Sequence, residues 1–277
     1  MKKILLLLTV LYGSLSAQNY SCCVNTSVNH ENNLLAMNES FAKSHLEPLP
    51  FTLANPKGAM VNFKTTDGKD AQAYEVKADK PTNKTLFIFH EWWGLNDYIK
   101  QEADKLSEEL PDVNVYAIDL YDGKVATTRE DAQKLMGGMS EDRSKAIIKG
   151  AVEMVGKKAK IYTIGWCMGG AWSLQATLLA GPQAAGCVMY YGMPETDLAK
   201  LKTLHCDVIG FFGTQDKYIT PEVVKTFQDN MKKAGKKMTV YSYNDDHAFA
   251  NPSNPKFDKV ATEDAHKKAM AFLKERM

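Results

Sequence analysis

The sequence predicts an α/β fold: one mostly parallel, doubly wound sheet flanked by helices, with an antiparallel hairpin at its N-terminal edge. From Lys84 onward, continuous apolar runs alternate with helical stretches, the pattern of parallel strands covered on both faces. Before them, residues 60–66 and 71–77 alternate apolar and polar around a Thr-Asp-Gly-Lys turn, which is typical of a hairpin. A chain of 277 residues with 44% hydrophobic residues is long enough for one large domain.

The apolar runs and the segments between them give the elements in order. We expect six further strands, at residues 86–89, 113–118, 161–164, 186–191, 208–212 and 238–243. We expect helices near residues 97–110, 129–136, 141–156, 168–180, 221–234 and 258–275. The fifth begins at Thr220-Pro221-Glu222, with an N-cap threonine and a proline in the first turn. No second domain or repeat is visible, so residues 59–277 are expected to form one domain.

The N-terminus has the pattern of a secretory signal. Lys2 and Lys3 precede a short apolar run and the small residues 14–17, which predicts a signal peptide over residues 1–17 that is cleaved on export. The mature protein would be periplasmic or secreted; a buried N-terminal helix is the alternative. Residues 18–58 are polar without a sustained period, so we expect an irregular leader that covers the pocket, docks on a partner or stays mobile.

Charge and cysteines narrow the function classes. The formal net charge of +1 gives no reason to expect a nucleic-acid partner. Besides Cys167, the chain has Cys22, Cys23, Cys187 and Cys206. A disulfide among these four is compatible with export, but the sequence does not give the pairing. Cys187 also fits a small buried apolar residue, which we favour.

Cys167 occupies the centre of a Gly-x-Cys-x-Gly pattern between a predicted strand and a predicted helix. This is the cysteine counterpart of the Gly-x-Ser-x-Gly nucleophile elbow. Gly165 and Gly169 allow strand and helix to approach closely around a strained turn. The N-terminus of the following helix favours a thiolate. The alternative is close packing without catalysis.

Two further residues follow strands in the order expected for a catalytic triad. Asp216 comes after one predicted strand and His247 after the next, and ligands bind beyond the carboxyl ends of parallel strands. A cysteine nucleophile needs a base within hydrogen-bond reach and a third group that orients the base. We therefore predict a triad of Cys167, His247 and Asp216.

Four motifs carry a resemblance to a known family. They are Gly-Trp-Cys-Met-Gly-Gly at 165–170, Gly-Thr-Gln-Asp at 213–216, Asp-His-Ala-Phe at 246–249 and His-Glu-Trp-Trp-Gly-Leu at 90–95. Together they resemble the motifs of the dienelactone hydrolase family, which are α/β-hydrolases with a cysteine nucleophile. The resemblance covers roughly residues 60–275 and implies the α/β-hydrolase fold.

The resemblance also implies roles. Cys167 corresponds to the nucleophile, His247 to the general base and then acid, and Asp216 to the orienting carboxylate. Glu91 falls where the family keeps a glutamate that contacts the resting thiol. A carboxylate there disfavours the thiolate, so a substrate that displaces Glu91 would activate the nucleophile. The alternative is a capping or surface glutamate.

The residues around the nucleophile complete the predicted site. The backbone N–H groups of Trp92 and Met168 are expected to form the oxyanion hole. Trp93, Tyr121 and Phe249 are expected to line the substrate pocket, although aromatic residues at strand ends are often simply core.

One departure bears on the substrate. Family members that cleave dienelactone hold its carboxylate with two arginines, and the corresponding positions here are Gly123 and Asn251. Lys124 or Arg129 would be the substitutes, but a lysine does not reproduce a bidentate guanidinium clamp. The sequence therefore argues against dienelactone itself.

Taken together, the sequence predicts a carboxylic ester hydrolase that cleaves a small-molecule ester or lactone through a Cys167 thioester. We expect no cofactor and no metal, since the second histidine of His-Glu-x-x-His is missing after His90. We also expect a monomer with no membrane span. The alternatives are a non-catalytic ligand-binding protein on the same fold, a peptidase, and a thiol redox protein, which the lack of Cys-x-x-Cys disfavours.

Overall fold

An eight-stranded sheet forms the centre of the protein in the computed structural model, which describes residues 27–255 and 257–277. The strands lie in the order β1-β2-β4-β3-β5-β6-β7-β8, and only β1 and β2 run antiparallel to their neighbours. This confirms the predicted fold class. The strands are β1 (Ala59–Lys64), β2 (Asp70–Val76), β3 (Lys84–Phe89), β4 (Asn114–Ile118), β5 (Lys160–Trp166), β6 (Ala184–Tyr190), β7 (Val208–Gly213) and β8 (Met238–Tyr243).

Helices cover both faces of the sheet. The six predicted helices are present, with ends within one residue of the prediction. The predicted N-cap at Thr220 is confirmed, because its side chain accepts a hydrogen bond from the Val223 N–H. The helices are α1 (Val28–Ala36), α2 (Glu39–Ser44), α3 (Asp97–Glu109), α4 (Arg129–Gly137), α5 (Glu141–Val155), α6 (Met168–Ala180), α7 (Leu198–Lys202), α8 (Pro221–Lys233) and α9 (Lys259–Arg276), with a 3₁₀ turn at Gly181–Gln183.

The central strands are apolar along their whole length because helices pack on both sides of them. Strands β6 and β7 are buried almost throughout, and β3 and β5 beyond their first residue. Their carboxyl ends meet at one edge of the sheet. None of the helices in the described residues is long and apolar enough to cross a membrane.

The prediction of an irregular leader is wrong for residues 28–44, which form α1 and α2. Polar contacts hold α1 in place: the side-chain amides of Asn29 and Asn33 donate to the Met139 carbonyl over 3.1 and 3.2 Å. Asn38 caps α2 by accepting from the Phe41 N–H. Short helices held by caps and amide contacts lack the apolar period by which helices are predicted. The predicted signal peptide, Cys22 and Cys23 lie outside the described residues.

Arg143 of α5 fastens the N-terminal hairpin to the rest of the domain. Its guanidinium donates to the Asp67 carboxylate in the hairpin turn and to the Asp70 carbonyl at the start of β2. The same group also donates to Asp122, in the loop after β4, with Nε 3.1 Å from each carboxylate oxygen. Its side chain is only 13% exposed. One planar cation therefore joins three segments of the chain.

Candidate active site

Cys167 lies in a sharp turn between β5 and α6, with φ 54° and ψ −121°. A positive φ is strained for any residue with a side chain and is typical of functional turns. The glycines on either side are required by space: a Cβ at Gly165 would lie 2.1 Å from the Gly169 carbonyl oxygen, and one at Gly169 would lie 2.2 Å from that of Phe89. The strand, turn and helix of a nucleophile elbow are thus all present.

The three predicted triad side chains lie together at the carboxyl ends of β5, β7 and β8. His247 Nδ1 is 2.7 Å from Asp216 Oδ2, and His247 Nε2 is 3.2 Å from Cys167 Sγ. The other Asp216 oxygen accepts the N–H groups of Tyr218 and Ile219, over 2.8 and 2.9 Å. These bonds fix the carboxylate, which in turn fixes the imidazole between acid and thiol.

The electrostatics favour charge separation within this group. Burial raises the pKa of Asp216. The neighbouring His247 and the two backbone donors lower this pKa by more, so the net shift is downward. Burial lowers the pKa of His247, yet Asp216 and Cys167 together raise it well above its usual value. A protonated imidazole beside an ionised carboxylate is therefore stable in this site.

Glu91 follows β3 and is completely buried, so it is not the surface residue of the alternative interpretation. Burial raises the pKa of its carboxyl to about 8. Its Oε2 accepts the Trp93 N–H over 3.0 Å. Glu91 and Cys167 are both described, and no hydrogen bond joins them. A pKa of about 8 leaves this carboxyl mostly protonated at neutral pH, so the predicted repulsion of a thiolate by Glu91 grows as the pH rises through this value.

The two predicted oxyanion donors belong to segments that Tyr121 ties together. Met168 is the first residue of α6, and Trp92 is in the loop after β3. The Tyr121 hydroxyl donates to the Trp92 carbonyl over 3.2 Å and lies 3.4 Å from Met168 Sδ. Both segments are thus held in a fixed relation next to Cys167.

Buried His90 and Asp119 position the loop that carries Tyr121. His90 Nε2 accepts the Leu120 N–H over 3.1 Å, so the ring proton is on Nδ1, which donates to the Glu91 carbonyl over 2.7 Å. Asp119 Oδ1 accepts the Tyr121 N–H over 2.8 Å. Backbone groups therefore engage both nitrogens of His90, and the residue has a structural role.

The predicted pocket residues Trp93, Tyr121 and Phe249 are all buried. The Tyr191 ring lies between Phe249 and the triad. Its centroid is 5.3 Å from that of Phe249 and 5.0 Å from that of His247. Sequence reasoning missed Tyr191. It directly follows β6 with a positive φ of 36°, at the end of the strand predicted over residues 186–191.

The leader covers the triad, which answers the question that the sequence left open. We call residues 38–46 the leader cap. The Phe41 ring lies 5.5 Å from the His247 ring, and the His45 ring lies 4.5 Å from Trp92 and 5.4 Å from His247. Cys167 is 3% exposed, and the His247 side chain 2%. No local sequence signal indicates these contacts, because they join the leader cap to residues far away in the chain.

The positions of the two missing arginines hold no charge. Asn251 is buried, and its Oδ1 accepts the Ser253 N–H over 2.8 Å. Of the two suggested substitutes, Lys124 is exposed, and Arg129 lies 3.8 Å from Glu47 of the leader.

Cys187 and Cys206 form no disulfide with each other or with Cys167 among the residues that the structure describes. Cys187 is completely buried, as expected for a small apolar residue, and burial raises the pKa of its thiol. The remaining predicted pairings involve Cys22 or Cys23 and lie outside the described residues.

A model of the dienelactone hydrolase family matches residues 71–277. The chain belongs to the dienelactone hydrolase family.

Its relatives include the protein usf of Aquifex pyrophilus, 27% identical over 79% of this chain and 98% of that one. They also include carboxymethylenebutenolidase 1 of Cupriavidus pinatubonensis, 23% identical over 77% of this chain and 95% of that one. A dienelactone hydrolase-like promiscuous phosphotriesterase from metagenomic libraries shares the fold, with a TM-score of 0.67 at 18% identity over 79% of this chain and 99% of that one. The leader cap precedes the matched region.

Proposed function

We propose that the protein hydrolyses an ester or lactone bond of a small molecule through a thioester at Cys167. One observation carries the proposal: Cys167, at a strained turn, lies 3.2 Å from an imidazole whose other nitrogen lies 2.7 Å from the Asp216 carboxylate. This geometry supplies a nucleophile, a base and an orienting group. Family membership supports the same reaction class.

The proposed reaction has two halves that share one imidazole. Cys167 Sγ attacks the carbonyl carbon after His247 has taken the thiol proton, and the N–H groups of Trp92 and Met168 receive the oxyanion. The carbon–oxygen bond breaks, and His247 gives its proton to the leaving alcohol. Water, deprotonated by His247, then attacks the thioester and releases the acid. The thiol is restored, and no cofactor takes part.

Access is the first requirement of this mechanism. The leader cap packs on His247 and Trp92, and Cys167 is almost fully buried. A substrate therefore reaches the thiol only when Phe41 and His45 move away. We propose that the closed cap is the resting state and that binding of substrate displaces it.

The substrate class follows from charge. Gly123 and Asn251 stand where a carboxylate-binding member would have arginines, and Arg129 is paired with Glu47. A buried carboxylate without a partner is costly. We therefore expect neutral esters and lactones to be better substrates than carboxylate-bearing ones.

The test is hydrolysis of a panel of aryl esters and lactones, with and without a carboxylate substituent. Turnover that is lost in Cys167→Ala and retained in the matched control Cys206→Ala, together with an acyl group on Cys167 by mass spectrometry, is the expected result. Tight ligand binding without turnover would instead support the ligand-binding alternative.

A further inference from the structure

Three potential metal ligands from distant parts of the chain meet over the triad. One ligand atom from each of His45, Cys167 and His247 lies within 4.8 Å of the other two. His45 belongs to the leader cap, and the other two follow strands β5 and β8. The cap thus brings a third ligand to the catalytic pair.

Both imidazoles are oriented as metal ligands are. His45 Nδ1 lies 2.8 Å from the Phe41 carbonyl oxygen, and a carbonyl only accepts, so the ring proton is on Nδ1. His45 Nε2 therefore presents a lone pair, and it is buried with no hydrogen-bond partner among the described residues. His247 has the same arrangement, with Nδ1 against Asp216. Metal-ligating histidines almost always donate their other ring N–H to a carbonyl or carboxylate in this way.

The donor set selects the kind of metal. Two imidazole nitrogens and a thiolate suit Zn²⁺ or Cu⁺ and do not suit Mg²⁺ or Ca²⁺, which prefer oxygen. Zinc bond lengths place tetrahedral nitrogen and sulfur ligands roughly 3.3–3.6 Å apart. The 3.2 Å between His247 Nε2 and Cys167 Sγ is close to this value. To reach the same spacing from these two atoms, the His45 ring would need to move by no more than roughly 1.5 Å.

We propose that His45, Cys167 and His247 bind one Zn²⁺ ion while the leader cap is closed, with water as the fourth ligand. The single proton that Cys167 Sγ and His247 Nε2 hold between them passes to solvent on binding, which leaves a thiolate and a lone pair for the ion, and no electron is transferred. The ion occupies the nucleophile and the lone pair of the base, and it links the cap to the sheet. It acts as an inhibitor and not as a cofactor. Binding is independent of the proposed hydrolysis, whereas inhibition rests on it.

The test uses the full chain and Co²⁺ as a spectroscopic probe, with Zn²⁺ affinity measured by competition against a chromogenic chelator. We expect one Co²⁺ per chain, with a thiolate-to-cobalt charge-transfer band and the intense visible bands of a tetrahedral site. His45→Phe keeps a ring in the cap and removes the nitrogen, so we expect Zn²⁺ affinity to fall about 10- to 100-fold or more. His266→Ala removes a half-buried histidine that is paired with Glu109, outside the proposed site, and should bind like the wild type.

The outcomes separate the proposal from the proposed function. Equal Zn²⁺ affinity in wild type and His45→Phe, or a cobalt complex without the thiolate band, would overturn the site. His45→Cys provides a second variant, since a thiolate in place of the imidazole should restore binding. If the metal-free protein binds cobalt as expected but hydrolyses no ester, the proposed function fails and the metal site stands. Undiminished ester hydrolysis in zinc-saturated protein would refute the inhibition.

Discussion

The Phe41 ring lies edge-on to the imidazole of His247, with the centroids 5.5 Å apart and the planes at 61°. A completely buried side chain of the leader therefore contacts the proposed general base directly. Removing a buried phenylalanine costs about 3–5 kcal/mol. Removing the Phe41 ring destabilises the closed state of the cap more than the open state, because only the closed state contains the contact between Phe41 and His247.

We expect Phe41→Ala to raise kcat/KM for a bulky aryl ester about tenfold or more, since about 1.4 kcal/mol of easier opening corresponds to a factor of ten. Hydrogen exchange of residues 28–46 should become faster in the same variant. Phe51→Ala is the matched control, because Phe51 also precedes the hairpin but packs on Tyr98, at 4.7 Å. Faster exchange at the cap without any gain in rate would rule out the cap as a gate.

Asp216 is predicted to act through His247. Asp216→Asn keeps an oxygen for the N–H groups of Tyr218 and Ile219 but removes the charge that raises the pKa of His247. We expect this pKa to fall, as followed by NMR of labelled histidine, and kcat to fall about 10²- to 10⁴-fold. Asp246→Asn is the control, because the Asp246 carboxylate accepts the His247 backbone N–H, over 2.8 Å, and makes no hydrogen bond to the imidazole among the described residues. An unchanged imidazole pKa in Asp216→Asn would contradict this role.

Substitution of Arg143 tests whether its guanidinium holds the N-terminal hairpin on the rest of the domain. A lysine would reach one carboxylate but would not bridge Asp67 and Asp122 as the planar guanidinium does. We expect Arg143→Lys to lower the free energy of unfolding by about 1–3 kcal/mol, as a lower urea midpoint at constant m-value. Arg129→Lys, at a single exposed ion pair of 3.8 Å, should change it by less than about 0.5 kcal/mol. If both variants lost the same free energy of unfolding, the bridge from Arg143 to Asp67 and Asp122 would not be what stabilises the hairpin.

The sequence was sufficient for features that depend on local pattern. The strands from β3 to β8 are continuous apolar runs, and the rule that sites lie at strand ends brought Cys167, Asp216 and His247 together. Helices α1, α2 and α7 were missed because each is short and is stabilised by caps or by contacts with distant residues. Phe41 and His45 were missed for a related reason. Their partners Trp92 and His247 are far away in the chain, and nothing in a polar leader marks two of its residues as part of a site.

Glu91 makes the stability of the protein depend on pH in a specific direction. Burial raises the pKa of its carboxyl from 4.5 to about 8 in the folded state. The folded protein therefore holds a proton between these values that the unfolded chain has lost. The stabilisation is complete below about pH 4.5 and disappears as the pH rises through about 8. Its size is on the order of a few kcal/mol, since one pKa unit corresponds to about 1.4 kcal/mol.

Glu91→Gln retains an oxygen for the Trp93 N–H and cannot titrate. We expect the free energy of unfolding of the wild type, minus that of Glu91→Gln, to decrease steadily from pH 5 to pH 8, as measured by urea denaturation at each pH. Contributions from His45 and His247 are common to both proteins and cancel in the difference. Glu108→Gln, at an exposed pair with Lys57, should give a flat difference curve. A flat curve for Glu91→Gln as well would mean that Glu91 is ionised in the folded protein, and the predicted repulsion of a thiolate would then operate at neutral pH.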